Sequence, residues 1–304
     1  MEKLADLPAL DAELTPRYRA VWDRLERPET QPRRMRRLVV RPYAEFEEKI
    51  RRAETRFVEE TIASFYAGDI YLLKEAFSRE EMERPRRLLH EHGRRTPSTF
   101  HKMVQNCPNF HRIIDGEVNR AGLYSFEATK HSYYFYLWNE EEFGLWPSVL
   151  RRWRPIKLLG GRLPNEFERN TPLDGIVERL QIAHYPSGAG ALELHSDPYL
   201  YARIIFSGIM TKRGADFDSG GVYFLDSENR KVDVEERLDL GDLYLSYPTL
   251  LHGIDPIDPG RRVDWTDIRG RWWMGIFTNA SDHVQNRHTG YGVRDVQVRS
   301  ESST

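Results

Sequence analysis

The sequence predicts an α+β chain with a mainly β core and a helical N-terminal part. Three observations carry this. Apolar residues recur at helical spacing through much of the first 66 positions. A block from 180 to 279 breaks into short apolar runs punctuated by Gly and Pro, as a barrel-like β fold requires. An aromatic run, His131–Trp138, stands ahead of that block and reads as a strand. The division expected is a helical extension over 1–66, the β domain over 67–298, and a disordered polar tail over 299–304.

Residues 1 to about 27 read as helix, with Tyr18, Val21, Trp22 and Leu25 on one face. Pro28 to Arg37 is a Pro-flanked basic connector, read as a solvated linker or as a patch for an anionic partner. Pro42 to Tyr66 reads as helix through Phe46, Ile50, Phe57 and Ile62. Gly68–Phe77 is a strand entering a helix at Ser78, where Glu81 three residues on completes a capping-box pattern. That helix runs from Glu80 to His92, with Pro85 tolerated near its start. A further helix is expected from Asn139 to about Trp153.

Charge and cysteine content remove several classes of function. The 45 basic and 47 acidic residues nearly cancel, so no global field favours nucleic acid as a partner. Cys107 is the only cysteine, which excludes disulfides within the chain and suits a reducing cytoplasm. The first residues hold no apolar signal core. No stretch approaches the roughly 18 uncharged apolar residues of a membrane span. A cytoplasmic protein without membrane or nucleic-acid partners is the expectation.

The chemistry is carried by His195-Ser196-Asp197 and the later His252. At i and i+2 on a strand, His195 and Asp197 point to one face. His252 is expected within a second strand-like run, Tyr244 to Gly253. Two imidazoles and a carboxylate occupy one face of a ferrous ion and leave three positions open. A bare H-x-D is weak evidence, but its surroundings are not. Upstream lies Leu180–Tyr185-Pro-Ser-Gly188-Ala-Gly190, a strand and a Pro/Gly turn; downstream come Gly220-Gly221 and Leu238–Gly241-Asp242, each leading into a strand. Arg271 then opens the apolar run Trp272–Thr278.

This order resembles the prolyl-4-hydroxylase-like branch of the Fe(II)/2-oxoglutarate-dependent oxygenases. The resemblance covers residues 180 to 280 and extends weakly to the strand and helix around Ser78. It implies a double-stranded β-helix (jelly roll) for 67–298, Fe(2+) held by His195, Asp197 and His252, and 2-oxoglutarate and O2 as co-substrates. The reaction implied is oxidation of a small-molecule substrate, usually hydroxylation, with release of succinate and CO2. Halogenating relatives carry a small residue where Asp197 stands, so that route is closed. Tyr185 resembles a tyrosine that helps bind 2-oxoglutarate. The cation expected for its distal carboxylate is Arg271, with Arg262, Arg269 or a lysine or arginine elsewhere as the other candidates. Arg262 has the commoner offset from His252, but it lies in Asp258–Asp267, which reads as an inserted loop. Arginine suits the task because its fork is bidentate and stays charged.

Three other readings of the same residues are a jelly-roll metalloenzyme that does not use 2-oxoglutarate, a catalytically dead binding module on the same fold, which the intact triad argues against, and a hydroxylase acting on a partner chain. Tyr133, Tyr136 and Trp138 are expected to line the substrate pocket. Asp242 is expected to be a turn residue, His184 a core or rim histidine, and His283 and His288 surface residues.

Overall fold

The structure is a computed structural model that describes residues 7, 9–284, 291–293 and 295–299. The helix expected from residue 1 starts at Thr15 among these: Asp11 caps a short 3-10 turn ahead of it, and Pro16 fits the first turn of α1 (Thr15–Leu25), where no N–H is needed. Its apolar face joins the main core. The Trp22 indole donates to Leu159 O (2.8 Å), and the Tyr18 hydroxyl donates to Ile50 O (2.7 Å). The basic connector is pinned down: Arg36 and Arg37 both reach the fully buried Asp69, and Leu251 N donates to Arg33 O at 3.0 Å. It leads into an unexpected strand, β1 (Leu38–Pro42), parallel to β2 (Ile70–Lys74). The helix expected over 42–66 is two helices, α2 (Tyr43–Arg52) and α3 (Thr55–Tyr66), broken where Ala53 turns left-handed.

The capping box at Ser78 and Glu81 forms as expected and opens α4 (Arg79–Arg95). β3 (Phe110–Ile114), the short α5 (Gly116–Arg120) and β4 (Ala128–Tyr136) follow. α6 (Leu145–Leu159) begins six residues later than Asn139. The cause is Glu141, whose carboxylate accepts from the backbone N–H of Phe143, Gly144 and Leu145 and ties the preceding segment into a turn.

The remaining strands are β5 (Ile176–Pro186), β6 (Ala191–Ser196), β7 (Ile205–Ile209), β8 (Gly221–Leu225), β9 (Lys231–Asp233), β10 (Leu243–Ser246), β11 (His252–Asp255), β12 (Gly270–Ala280) and β13 (Tyr291–Gly292). Their order is β1-β2-β10-β7-β12-β5-β4-β6-β11-β8-β9, antiparallel after the first pair. β4 is the joint: Ala128 and Thr129 pair with β6, and His131–Tyr136 pair with β5. The chain therefore crosses between two groups of strands, one containing β10, β7, β12 and β5, the other β6, β11, β8 and β9. Alternation along β12 sends Arg271, Trp273 and Phe277 into a cavity shared by both groups, and Trp272 to the opposite face, where His90 of α4 meets it.

The run Tyr244–Gly253 is not one strand. It breaks after Ser246, and His252 is the first residue of β11, in the other group. Pro248 has no N–H to give a ladder, and its carbonyl instead accepts from Asp197 N at 2.9 Å.

Gly270, φ 135°, shows how closely β12 approaches β5: a Cβ there would lie 2.3 Å from Tyr185 O. Gly270→Ala will therefore lower stability by about 2 kcal/mol or more, because strain and clash add. A urea titration will read it as a lower midpoint, and an unchanged midpoint would mean that β12 starts elsewhere. Among the described residues no helix is long and apolar enough to cross a membrane. Residues 300–304 of the expected tail, and His288, lie outside the described residues.

Candidate metal centre

His195, Asp197 and His252 come together. One potential ligand atom from each lies within 4.8 Å of the others. His252 pairs directly with His195 across β11 and β6. Leu192 and His195 are three residues apart on β6, yet both face the cavity, because a register shift at this point turns the strand. Asp197 lies just past β6, its carboxylate 3.6 Å from His252 Nε2 and 4.0 Å from His195 Nε2.

The tautomers are set by the backbone. His195 Nδ1 is 2.8 Å from Glu193 O, and His252 Nδ1 is 2.9 Å from Leu250 O. A carbonyl only accepts, so each Nδ1 carries the proton and donates it. Each Nε2 is left with its lone pair toward Asp197, as a metal ligand requires. Phe126 stacks on His195 at 4.9 Å and Phe224 on His252 at 5.0 Å, so both rings are held in orientation.

Burial pushes the His195 imidazole well below its ordinary value and raises the Asp197 carboxyl, although His252, Lys130 and Arg179 work against that rise. Two imidazoles, of which burial holds His195 neutral, and a buried carboxyl fit a divalent cation. Nitrogen and oxygen donors with open positions suit iron(II).

Across the cavity stands Arg271, 1% exposed. Its Nε donates to Glu235 at 2.6 Å, and Glu235 also accepts from Val222 N. Its Nη2 is buried and has no hydrogen-bond partner among the described residues. Half of the fork is fastened, and the other half is available to a ligand. Tyr185, Ser207, Tyr244 and Gln181 line the same space. Arg262 is exposed on the 256–269 loop and does not line it. Arg269 is on that loop as well and pairs with Asp218 at 2.8 Å.

The aromatic residues expected in the pocket lie elsewhere. Tyr133 is on the face of β4 opposite Lys130, against His131 and Trp272. Tyr136 and Trp138 stack on each other in a satellite cluster with Met103 and Cys107. The walls of the cavity come instead from Tyr124, Phe126, Trp273 and Phe277. Lys130 and Glu235 were not singled out from sequence. A lysine inside an aromatic strand was a legible signal for the first. Glu235 sits in a polar Glu-Glu-Arg turn that carries no mark of its partner. Asp242 is a turn residue, as expected, accepting from Asp239 N and Glu75 N and pairing with Lys74. His283 is exposed, as expected.

The histidines on the outer face form a separate group. Burial lowers His131 to about 2 and His184 to about 3. Both are neutral in the fold and take up a proton on unfolding, so the unfolded state binds more protons below about pH 6.5. Stability is full above that pH and falls as the pH drops, by up to about 1.4 kcal/mol per pH unit for each. Urea titrations from pH 7 to 4 will show this, and His184→Phe, which keeps the stack on Trp272, will flatten the slope. An equal slope in the variant would remove His184 from the account.

No family model and no curated protein matches the chain. It is similar to several solved structures that span most of both chains. A full-length Neurospora crassa protein in complex with alpha-KG and thymine is 13% identical, with a TM-score of 0.46 over 84% of this chain and 88% of that one. A prolyl hydroxylase from Trichoplax adhaerens, in complex with a hypoxia inducible factor peptide, is 11% identical, with a TM-score of 0.45 over 81% and 96%. An oxidoreductase of the 2OG-Fe(II) oxygenase family from Burkholderia pseudomallei is 12% identical, with a TM-score of 0.40 over 87% and 100%. At these values the likeness does not by itself define a family.

Proposed function

We propose that the chain is an Fe(II)/2-oxoglutarate-dependent oxygenase that oxidises a small molecule, built on a double-stranded β-helix. The observation that carries this is the opposition of two half-sites in one cavity. His195, Asp197 and His252 are poised as ligands, and across from them Arg271 holds out an unpartnered, buried Nη2. A metalloenzyme without 2-oxoglutarate has no use for the second half-site. The strand alternation supports the fold: β5, β7, β10 and β12 alternate along the chain with β6, β8 and β11 of the other group.

Bound iron would supply redox chemistry and open coordination positions for a 2-oxo acid and O2. His195 and His252 present Nε2 to it because their Nδ1 protons are held by carbonyls. Asp197 neutralises one of its charges and is anchored through its backbone to Pro248 O. Arg271 orients the distal carboxylate, so that the 2-oxo end faces the triad. Phe126, Leu192, Ile254 and Phe277 supply apolar lining to the cavity. The triad is almost wholly buried, a setting that suits a substrate able to enter the cavity whole.

The test is anaerobic titration with Fe(II) and 2-oxoglutarate, read as a visible charge-transfer band, followed by a metabolite screen for succinate release in air. Absence of the band in the wild-type protein sinks the reading. Succinate release that requires an added protein and no small molecule would move the substrate to a partner chain.

A further inference from the structure

Lys130 is 3% exposed and lines the same cavity. Two other buried cations each have a carboxylate in contact: Arg271 has Glu235, and Lys157 has Glu178 and Glu168. No described carboxylate lies within 4.0 Å of the Lys130 ammonium; its near neighbours are the Tyr124 ring at 5.2 Å and the Tyr185 ring at 5.9 Å. A buried ammonium without a counter-charge is costly, unless a ligand brings one.

Register places this charge. Arg271 pairs with Tyr185, and His131 pairs with His184, so Lys130 falls beside Tyr185 on its other flank. Lys130, Tyr185 and Arg271 thus form a row across β4, β5 and β12. The outer two are two strand spacings apart, about 10 Å. Arg271 stands at one end of that row and Lys130 at the other, near Tyr124 in the loop that leads into β4, where Leu123 is 63% exposed.

We propose that Lys130 is a specificity residue for the primary substrate, and that this substrate is a small aromatic-sized molecule bearing a carboxylate, which the ammonium holds. Tyr124 lies against the ammonium, and Phe126, Trp273 and Phe277 line the same cavity. The inference rests on the oxygenase reading for its co-substrate.

The experiment uses matched acids and primary amides: benzoate, phenylacetate and indole-3-acetate against benzamide, phenylacetamide and indole-3-acetamide. Anaerobic protein loaded with Fe(II) and 2-oxoglutarate is titrated with each, and the charge-transfer band and calorimetric heat are recorded. At least one acid should bind tenfold or more tighter than its amide, and Lys130→Met should erase that preference with 2-oxoglutarate affinity within twofold of wild type. Lys130→Arg should restore part of it. Amides that bind as well as acids, or no acid that binds at all, overturn the proposal. A Lys130→Met protein whose loss falls on 2-oxoglutarate overturns it as well, since Lys130 would then serve the co-substrate. Calorimetry of the same pairs on iron-free protein, wild type against Lys130→Met, reads the preference even where no band forms. Failure of the oxygenase reading is thereby separated from failure of this one.

Discussion

Neither His252→Ala nor Asp197→Ala will give the charge-transfer band on anaerobic addition of Fe(II) and 2-oxoglutarate. Outer partners of metal ligands already change affinity by about 10–100-fold, so loss of one of three ligands will cost more than about 100-fold. The metal-free proteins will stay folded. Asp197 is a buried carboxyl with no lysine or arginine within 4.0 Å among the described residues, and its removal relieves that burial. The expected pair of results is a thermal melt equal to or above that of metal-free wild type, and a ferrous affinity that is gone. A band of wild-type strength in either variant removes that residue from the ligand set. A melt that collapses along with the affinity makes the residue structural instead.

Replacing Arg271 will do two things, and the structure separates them. Its Nη2 is buried without a partner among the described residues, and on the proposed reading it holds the distal carboxylate of 2-oxoglutarate; removal of a buried partner to such a charge costs about 2–5 kcal/mol, or roughly 30-fold or more in affinity. Its Nε also neutralises Glu235, and both side chains are 1% exposed. Arg271→Ala leaves that carboxylate buried and alone, which costs about 3–5 kcal/mol of stability. The double variant Arg271→Met, Glu235→Gln removes both charges, so it will recover most of the stability and none of the affinity. Arg262→Ala, at the exposed loop position, will change neither. Recovery of 2-oxoglutarate binding in the double variant would assign Arg271 to the fold alone. Loss in Arg262→Ala would bring the loop into the site.

Much of this site was legible in the chain because its signals are local. The i, i+2 spacing of His195 and Asp197 needs only a strand. Ser78 and Glu81 cap a helix through bonds three residues long. Arg271 at the head of an apolar run needs only strand parity to point inward. Residues 1–66 illustrate the opposite case. Their helical spacing was visible, but β1 forms because β2 offers an edge, and Asp69 collects Arg36 and Arg37 from a connector that reads as solvated. Tyr133, Tyr136 and Trp138 read as pocket residues because they are aromatic, and composition does not state which face of a strand turns inward.

The sequence by itself singled out the candidate donor set and the strand pattern that carries it, and it ranked Arg271 first among three arginines, because residue type and short-range periodicity encode these. Only the tertiary structure decided that His252 opens a strand in the group of β6, that Glu235 holds half of the Arg271 fork, and that Lys130 faces the cavity with no carboxylate in salt-bridge contact among the described residues. Each of these is a contact between residues distant along the chain. It depends on strand order and on a register shift in β6, which the alternation of apolar and polar residues within one strand does not encode.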